Sequence, residues 1–437
     1  MPSNRLPTLP YWVRYISATL ATGVTAGIVG WLCTRLLHGV EAVAWNHHSG
    51  TFLDSVSASV SWHRPLILLV AGVLGAISWT VMFQKNPQLT SVKAGVEGET
   101  LPPLRTIWHA LTQIVLVGMG ASIGREVAPR EVSASLSSWL SSHCGLSAED
   151  RRIIVACGAG AGLSAVYSIP ISGAVYALEI LLLSKRPKAV ATASFIAVLS
   201  VLVSTGWHRP APFYSVEPLK TSWGLVVWAL IMGPILGALG ELFRTWVDRC
   251  EQAKPRSAHL LWSLPLAFVV VGLIAIVIPS VLGNGQASAQ TQFDARWLAG
   301  AGLITALLVL VAKTFTTLVT IRAGAWGGTL TPGVALGAGI GAVTGLVWQQ
   351  VVPSVSVAAC VFIGAAIFLG SSMAAPLTGL TLVFEFTGFA GLPIVGSTGI
   401  ALVGSVLMTA WIRKRREARR LAEVHATMSI PPLPSSD

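Results

Sequence analysis

One feature decides what this chain can become: long apolar stretches follow one another from residues 11–37 to 390–412, with no polar domain between them. Each is long enough to span or enter a bilayer, whose hydrocarbon core takes about 20 helical residues to cross. Only 11% of the residues are charged, against about 25% in soluble domains. That is too few to wet a soluble surface. The expected fold class is therefore an all-α polytopic membrane protein, with residues 1–437 forming a single transmembrane domain. Two of the stretches, 153–184 and 355–387, are interrupted by Gly and Pro. Broken helices persist at membrane depth only where protein or a watery cavity satisfies the freed backbone groups, so the bundle should contain broken and re-entrant helices.

The net charge of +11 does not point to nucleic acid. "RKRREARR" (413–420) directly follows the last apolar stretch, and Arg5 and Arg14 flank the first. Juxtamembrane Lys and Arg mark cytoplasmic ends. Both termini are expected in the cytoplasm, with 413–437 as a short basic tail. The first stretch is too long for a signal-peptide core and should remain as an anchor. The cysteines at 33, 144, 157, 250 and 360 lack metal or redox spacing, and His47–His48 reads as a loop pair. No metal or cofactor is expected. An intramembrane enzyme is disfavoured, because no nucleophile–base pair or His-Glu-x-x-His motif is present.

The chain also repeats itself. "GAGAGLSAVYSIPISGAVYALEI" (158–180) lies over "GAAIFLGSSMAAPLTGLTLVFEF" (364–386) at one constant offset. Pro170, Gly173 and Glu179 fall on Pro376, Gly379 and Glu385. Upstream, "GREVAP" (124–129) matches "GGTLTP" (327–332). The repeats run roughly over 60–210 and 260–412. Duplicated halves with interrupted helices are the architecture of secondary transporters, whose sites lie at the midplane where half-helix N-termini meet anions.

Each of the two short motifs reads as a loop leading into a helix. Pro suits the first turn, where its missing N–H loses nothing. The amides around Arg125, Glu126 and Val127, and around Gly328, Thr329, Leu330 and Thr331, are then donors at the positive ends of helix dipoles. Two such ends would hold a small anion with neutral groups, weakly enough to let it leave. Burying the charges of Arg125 and Glu126 costs roughly 3 kcal/mol each on insertion scales, which needs a reason. A carboxylate at the mouth of an anion site is a tethered competitor for that site. Arg125 has a second reading as the counter-charge of Glu126.

These residues are where the chain resembles the CLC family of chloride channels and chloride/proton exchangers, of the prokaryotic type without cytoplasmic regulatory domains. "GREVAP" resembles the family's Gly-Arg/Lys-Glu-Gly-Pro, and "GGTLTP" its Gly-x-Phe-x-Pro. "TSVKAGVEG" (90–98) aligns in length with its Gly-Ser-Gly-Ile-Pro stretch and the Glu-Gly that follows. "GAGAGLSAVYSIPISGAVYALE" looks like the stretch after the glutamate motif. The resemblance implies a CLC-like inverted-repeat bundle, a homodimer with one anion path per subunit, and residence in a bacterial inner membrane. It implies that Glu126 is the gate and that Ser91 offers a hydroxyl to the anion. It further implies that the segments Gly124–Val127 and Gly328–Thr331 line the anion sites. Ser91 favours chloride over fluoride.

The departures matter. Val127–Ala128 replaces a single glycine, Leu330 replaces the family phenylalanine, and Lys93–Ala94 replaces Ile-Pro. All five tyrosines lie at or before position 214, so the family's pore tyrosine after the last span is missing. Ile180 stands where many exchangers carry an internal proton-handling glutamate. The expected function is channel-like chloride transport. The alternative is a chloride/proton antiporter with a non-standard internal proton path, in which Glu179 is a possible relay; a fluoride-selective member stands third. Glu179 and Glu385 also have a plainer reading, as helix-end or interface hydrogen bonders.

Overall fold

The breaks in the apolar stretches fall at equivalent places in the two halves. The computed structural model describes residues 9–85, 89–208, 210–255 and 257–428. In the first half, helix Ala148–Tyr167 stops at Ser168, which adopts φ 59°. In the second, helix Val357–Ser372 is followed by Ala374 at φ 56°. Left-handed backbone is unusual for residues with a Cβ. Two residues further on, Pro170 and Pro376 each open a new helix at its first position. Proline drives the residue before it out of the helical region. A continuous apolar run is thereby turned into two helices at an angle.

Among the described residues, eight helices are long and apolar enough to cross a membrane. No strand is present among them beyond one isolated bridge. Helix Tyr11–Trp45 packs against Pro187–Thr205, and helix Trp223–Gln252 packs against Val395–Met428 in the same way. Likewise Val127–His143 pairs with Ala148–Tyr167, and Leu330–Val351 with Val357–Ser372. The repeat boundaries near 60 and 260 leave helices Tyr11–Trp45 and Trp223–Gln252 ahead of the two halves. Helices His63–Lys85 and Leu260–Val277 pack across the halves. There a Cβ on Gly72 would lie 2.7 Å from the Pro265 backbone, and one on Gly272 would lie 2.4 Å from the Pro65 backbone. Small residues let backbones approach closely where no hydrophobic drive exists between helices.

The basic segment after the last span behaves differently from a loose tail. Residues 413–428 continue helix Val395–Met428, while 429–437 lie outside the described residues. Arg413 and Arg416 donate to the carboxylate of Glu241 at 3.0 and 3.3 Å. Arg, Glu, Ala and Leu are good helix formers, which is why the charged run keeps its turn.

The two glutamates shared by the repeats close the seam between the halves. Glu179 lies in a π-helical turn, Ala177–Leu182. Its carboxylate accepts the amides of Leu377 and Thr378 at 3.0 and 2.6 Å, and the Thr378 hydroxyl at 2.6 Å. Glu385 returns the arrangement, accepting the amides of Ile171 and Ser172 at 2.9 and 2.6 Å. Each carboxylate caps the first turn of the other half's re-entrant helix. Capping, the plainer reading of both residues, matches this geometry. Replacing either Glu179 or Glu385 by Ala should destabilise the protein by about 1–3 kcal/mol, the worth of charge-assisted bonds. Melting in detergent checks this, and the two losses should be similar because the environments match.

Candidate anion-binding site

The two short motifs meet. Gly124 and Gly328 pair as an antiparallel bridge, with N···O distances of 2.6 and 3.0 Å. Each loop then enters its own helix, Val127–His143 or Leu330–Val351. Pro129 and Pro332 sit in the first turns, where their missing amides are not needed. Val127 thus begins a helix despite the extra residue before Pro129.

Glu126 precedes the first of these helices but does not cap it with its side chain. The carboxylate instead reaches the other half. Its Oε1 accepts the Leu330 amide at 2.8 Å. Its Oε2 accepts longer bonds from the Tyr167 hydroxyl at 3.4 Å and the Thr331 hydroxyl at 3.5 Å. The residue is fully buried. Leu330 is the first residue of a 22-residue helix whose N-cap, Thr329, makes no side-chain cap. The acid thus takes the place of the missing cap, at the positive end of the dipole.

Glycine is required around this carboxylate for space. A Cβ on Gly328 would fall 1.8 Å from Glu126 Oε1, and one on Gly124 would fall 2.1 Å from Oε2. Behind the site, Arg130 donates from Nε to the Glu126 carbonyl at 3.0 Å and from its terminal nitrogen to the Tyr176 hydroxyl at 3.0 Å.

Arg125, read also as the counter-charge of Glu126, makes no direct ion pair with it among the described residues. Its guanidinium lies 4.9 Å from the Tyr167 ring centre and 5.6 Å from that of Phe213. Both neighbours meet Tyr167, Arg125 on its ring face and Glu126 at its hydroxyl. The aromatic faces take the cation, and neutral donors take the anion. Ser91 is exposed and caps the short helix Val92–Val96, accepting the Ala94 amide at 3.1 Å. That helix packs on Val127–His143 and Ala148–Tyr167. Glu179 stands in the seam described above.

Tyr167 was not singled out by the sequence. It ends the helix of the first repeat, inside the small-residue run "GAGAGLSAVY", where a lone aromatic ring was the available signal. Arg130 was hidden for another reason: its partners lie on its own turn and on a separate helix. Gly328→Ala should drive the Glu126 carboxylate off the Leu330 amide while leaving the chain folded, because the clash is with a mobile side-chain end. A structure of the variant with the carboxylate still bonded to Leu330 would contradict this.

Comparisons with known proteins agree with this geometry. The family model described as voltage gated chloride channel matches residues 68–407. The voltage-gated ClC-type chloride channel ClcB of Escherichia coli is 26% identical over 321 residues, covering 70% of this chain and 75% of that protein. The H(+)/Cl(-) exchange transporter ClcA of Vibrio cholerae is 26% identical over 407 residues, covering 86% of this chain and 82% of the transporter. Among solved structures, a slow cyanobacterial Cl-/H+ antiporter overlays with a TM-score of 0.77 at 18% identity, covering 94% of this chain and 99% of its own. A CLC-type fluoride/proton antiporter gives 0.65 at 20% identity, covering 91% of this chain and 96% of its own. With a family match across three quarters of its length, and a helical bundle of the same fold, this multi-pass membrane protein belongs to the voltage gated chloride channel, or CLC, family.

Proposed function

We propose that this chain carries chloride across a membrane along a path that Glu126 closes and opens. One observation carries the reading: a fully buried carboxylate holds the N-terminal amide of a helix in the opposite repeat. That amide is a neutral donor suited to a halide. Ionised, Glu126 competes with the permeating anion. Protonated or displaced, it frees the Leu330 amide, with the Thr331 hydroxyl beside it. The segments Gly124–Val127 and Gly328–Thr331 then line the anion's sites, and Ser91 offers the anion its hydroxyl. The basic turns beyond Trp411 support cytoplasmic termini in a bacterial inner membrane. The family's dimer is the proposed assembly.

The first form of this reading is channel-like, since Ile180 cannot carry a proton. A second, proton-coupled exchange, is favoured by one observation: buried His109 and half-buried Glu131 form a protonatable pair between helices Pro103–Gly118 and Val127–His143. Glu179 is committed to capping and makes a poor relay in either form.

Purified protein in liposomes should dissipate a chloride gradient. Glu126→Gln should raise the flux about tenfold, as expected when a competitor worth about 1.4 kcal/mol is lost. Vesicles that contain the protein and pass no chloride would reject the proposal.

A further inference from the structure

A second protonatable group lies beside the site and has no part in holding the anion. Helices Pro103–Gly118 and Val127–His143 pack together. Between them His109 is 1% exposed and Gln113 is fully buried, while Glu131 keeps 22% of its side chain open. His109 and Gln113 lie one turn apart, so their side chains meet. His109 Nδ1 is 2.9 Å from Glu131 Oε2. The Gln113 amide nitrogen is 2.7 Å from the same ring nitrogen and 3.3 Å from the same carboxylate oxygen.

Those distances suit two placements of one proton. Nδ1 cannot donate to Glu131 and accept from Gln113 at once. With Glu131 ionised, its carboxylate accepts from both the imidazole and the amide. With Glu131 neutral, its hydroxyl donates to a bare Nδ1, which also accepts from the amide. Passing between the two shifts a proton along one short contact and turns one amide. His109 Nε2, Gln113 Oε1 and the nearby Trp79 Nε1 are buried without a partner. Buried polar atoms are normally paired, so this cluster keeps hydrogen-bonding capacity that the fold leaves unused.

The pair is joined to Glu126 by a short segment. The Trp326 ring centre lies 6.2 Å from that of His109 and 5.0 Å from that of Trp79. Two residues on, Gly328 abuts the Glu126 carboxylate. Among the described residues, charged side chains around the pair include Arg130 on the helix of Glu131, Arg105 one turn before His109, and Lys254. The first is held by the Glu126 carbonyl and Tyr176. Arg105 lies over Phe83. Lys254 lies over Trp326 and is paired with Glu251.

We propose that the Glu131–His109 pair is the proton-holding site that exchanges a proton with Glu126. One proton leaves the pair and neutralises the Glu126 carboxylate, which releases the Leu330 amide to an anion. The open edge of Glu131 then recovers a proton from water. This rests on the proton-coupled form of the transport reading and gives that form its residues.

The test uses the full chain in liposomes under an imposed chloride gradient, with chloride and proton movement recorded together. Wild-type protein should drive protons uphill. Glu131→Gln and His109→Gln should each cut proton movement about tenfold or more, the range expected on losing a positioned acid–base group, while chloride movement persists. Glu131→Asp should restore proton movement, which a purely structural role would not predict. Size-exclusion profiles identify any variant that fails to fold, and the other variant then decides. Unchanged proton-to-chloride ratios in the folded variants overturn the proposal, as does a wild type that passes chloride without protons. A wild type that passes no chloride instead overturns the transport reading itself.

Discussion

The hydrogen bond from the Leu330 amide to Glu126 joins the two halves of this protein at its centre. It pairs a buried anion with an unfilled helix start, and either group alone would be expensive at that depth. An ionised carboxylate without partners shifts or unfolds its surroundings. A helix N-terminus without a cap leaves donors unpaired. Gly124 and Gly328 keep the two loops close enough for the bond and clear enough for the carboxylate.

The same solution recurs at four other charged side chains of this chain. Glu179 and Glu385 take the free amides of re-entrant helices. Arg64 gives its guanidinium to carbonyls that end two helical segments, including those of Val56 and Ala275. Lys313, fully buried, donates to the carbonyls of Val281 and Gly283 and to the Ser122 hydroxyl. Broken helices leave backbone groups unpaired, and these charged side chains pair with them. Breaks and charges therefore compensate one another, and neither is affordable alone in a membrane. The proposed transport site rests on the same pairing, since departure of the Glu126 carboxylate would leave the Leu330 amide free.

Much of this was legible in the sequence. Gly and Pro in register at 170–173 and 376–379 betrayed the repeat, because both residues restrict backbone in ways that pattern alone exposes. Glu126 was legible as an acid too costly to be idle. What stayed hidden depended on tertiary contact. Arg125 sits beside Glu126 in the chain, yet its side chain faces an aromatic cluster from other elements. Tyr167, Arg130 and the His109–Glu131 pair each need two helices to be brought together before their chemistry exists. The extension of the last helix to Met428 was obscured by its charge, though its residues favour helix.

The central claim is that one neutral amide serves the carboxylate and the anion in turn. Crystals of wild type and of Glu126→Gln grown in bromide would test it, since the anomalous signal locates the ion directly. The account predicts bromide at the Leu330 amide in the variant, and the Glu126 carboxylate in that place in the wild type at neutral pH. Bromide bound elsewhere in the variant, with the Leu330 amide still held by the residue 126 side chain, would contradict it.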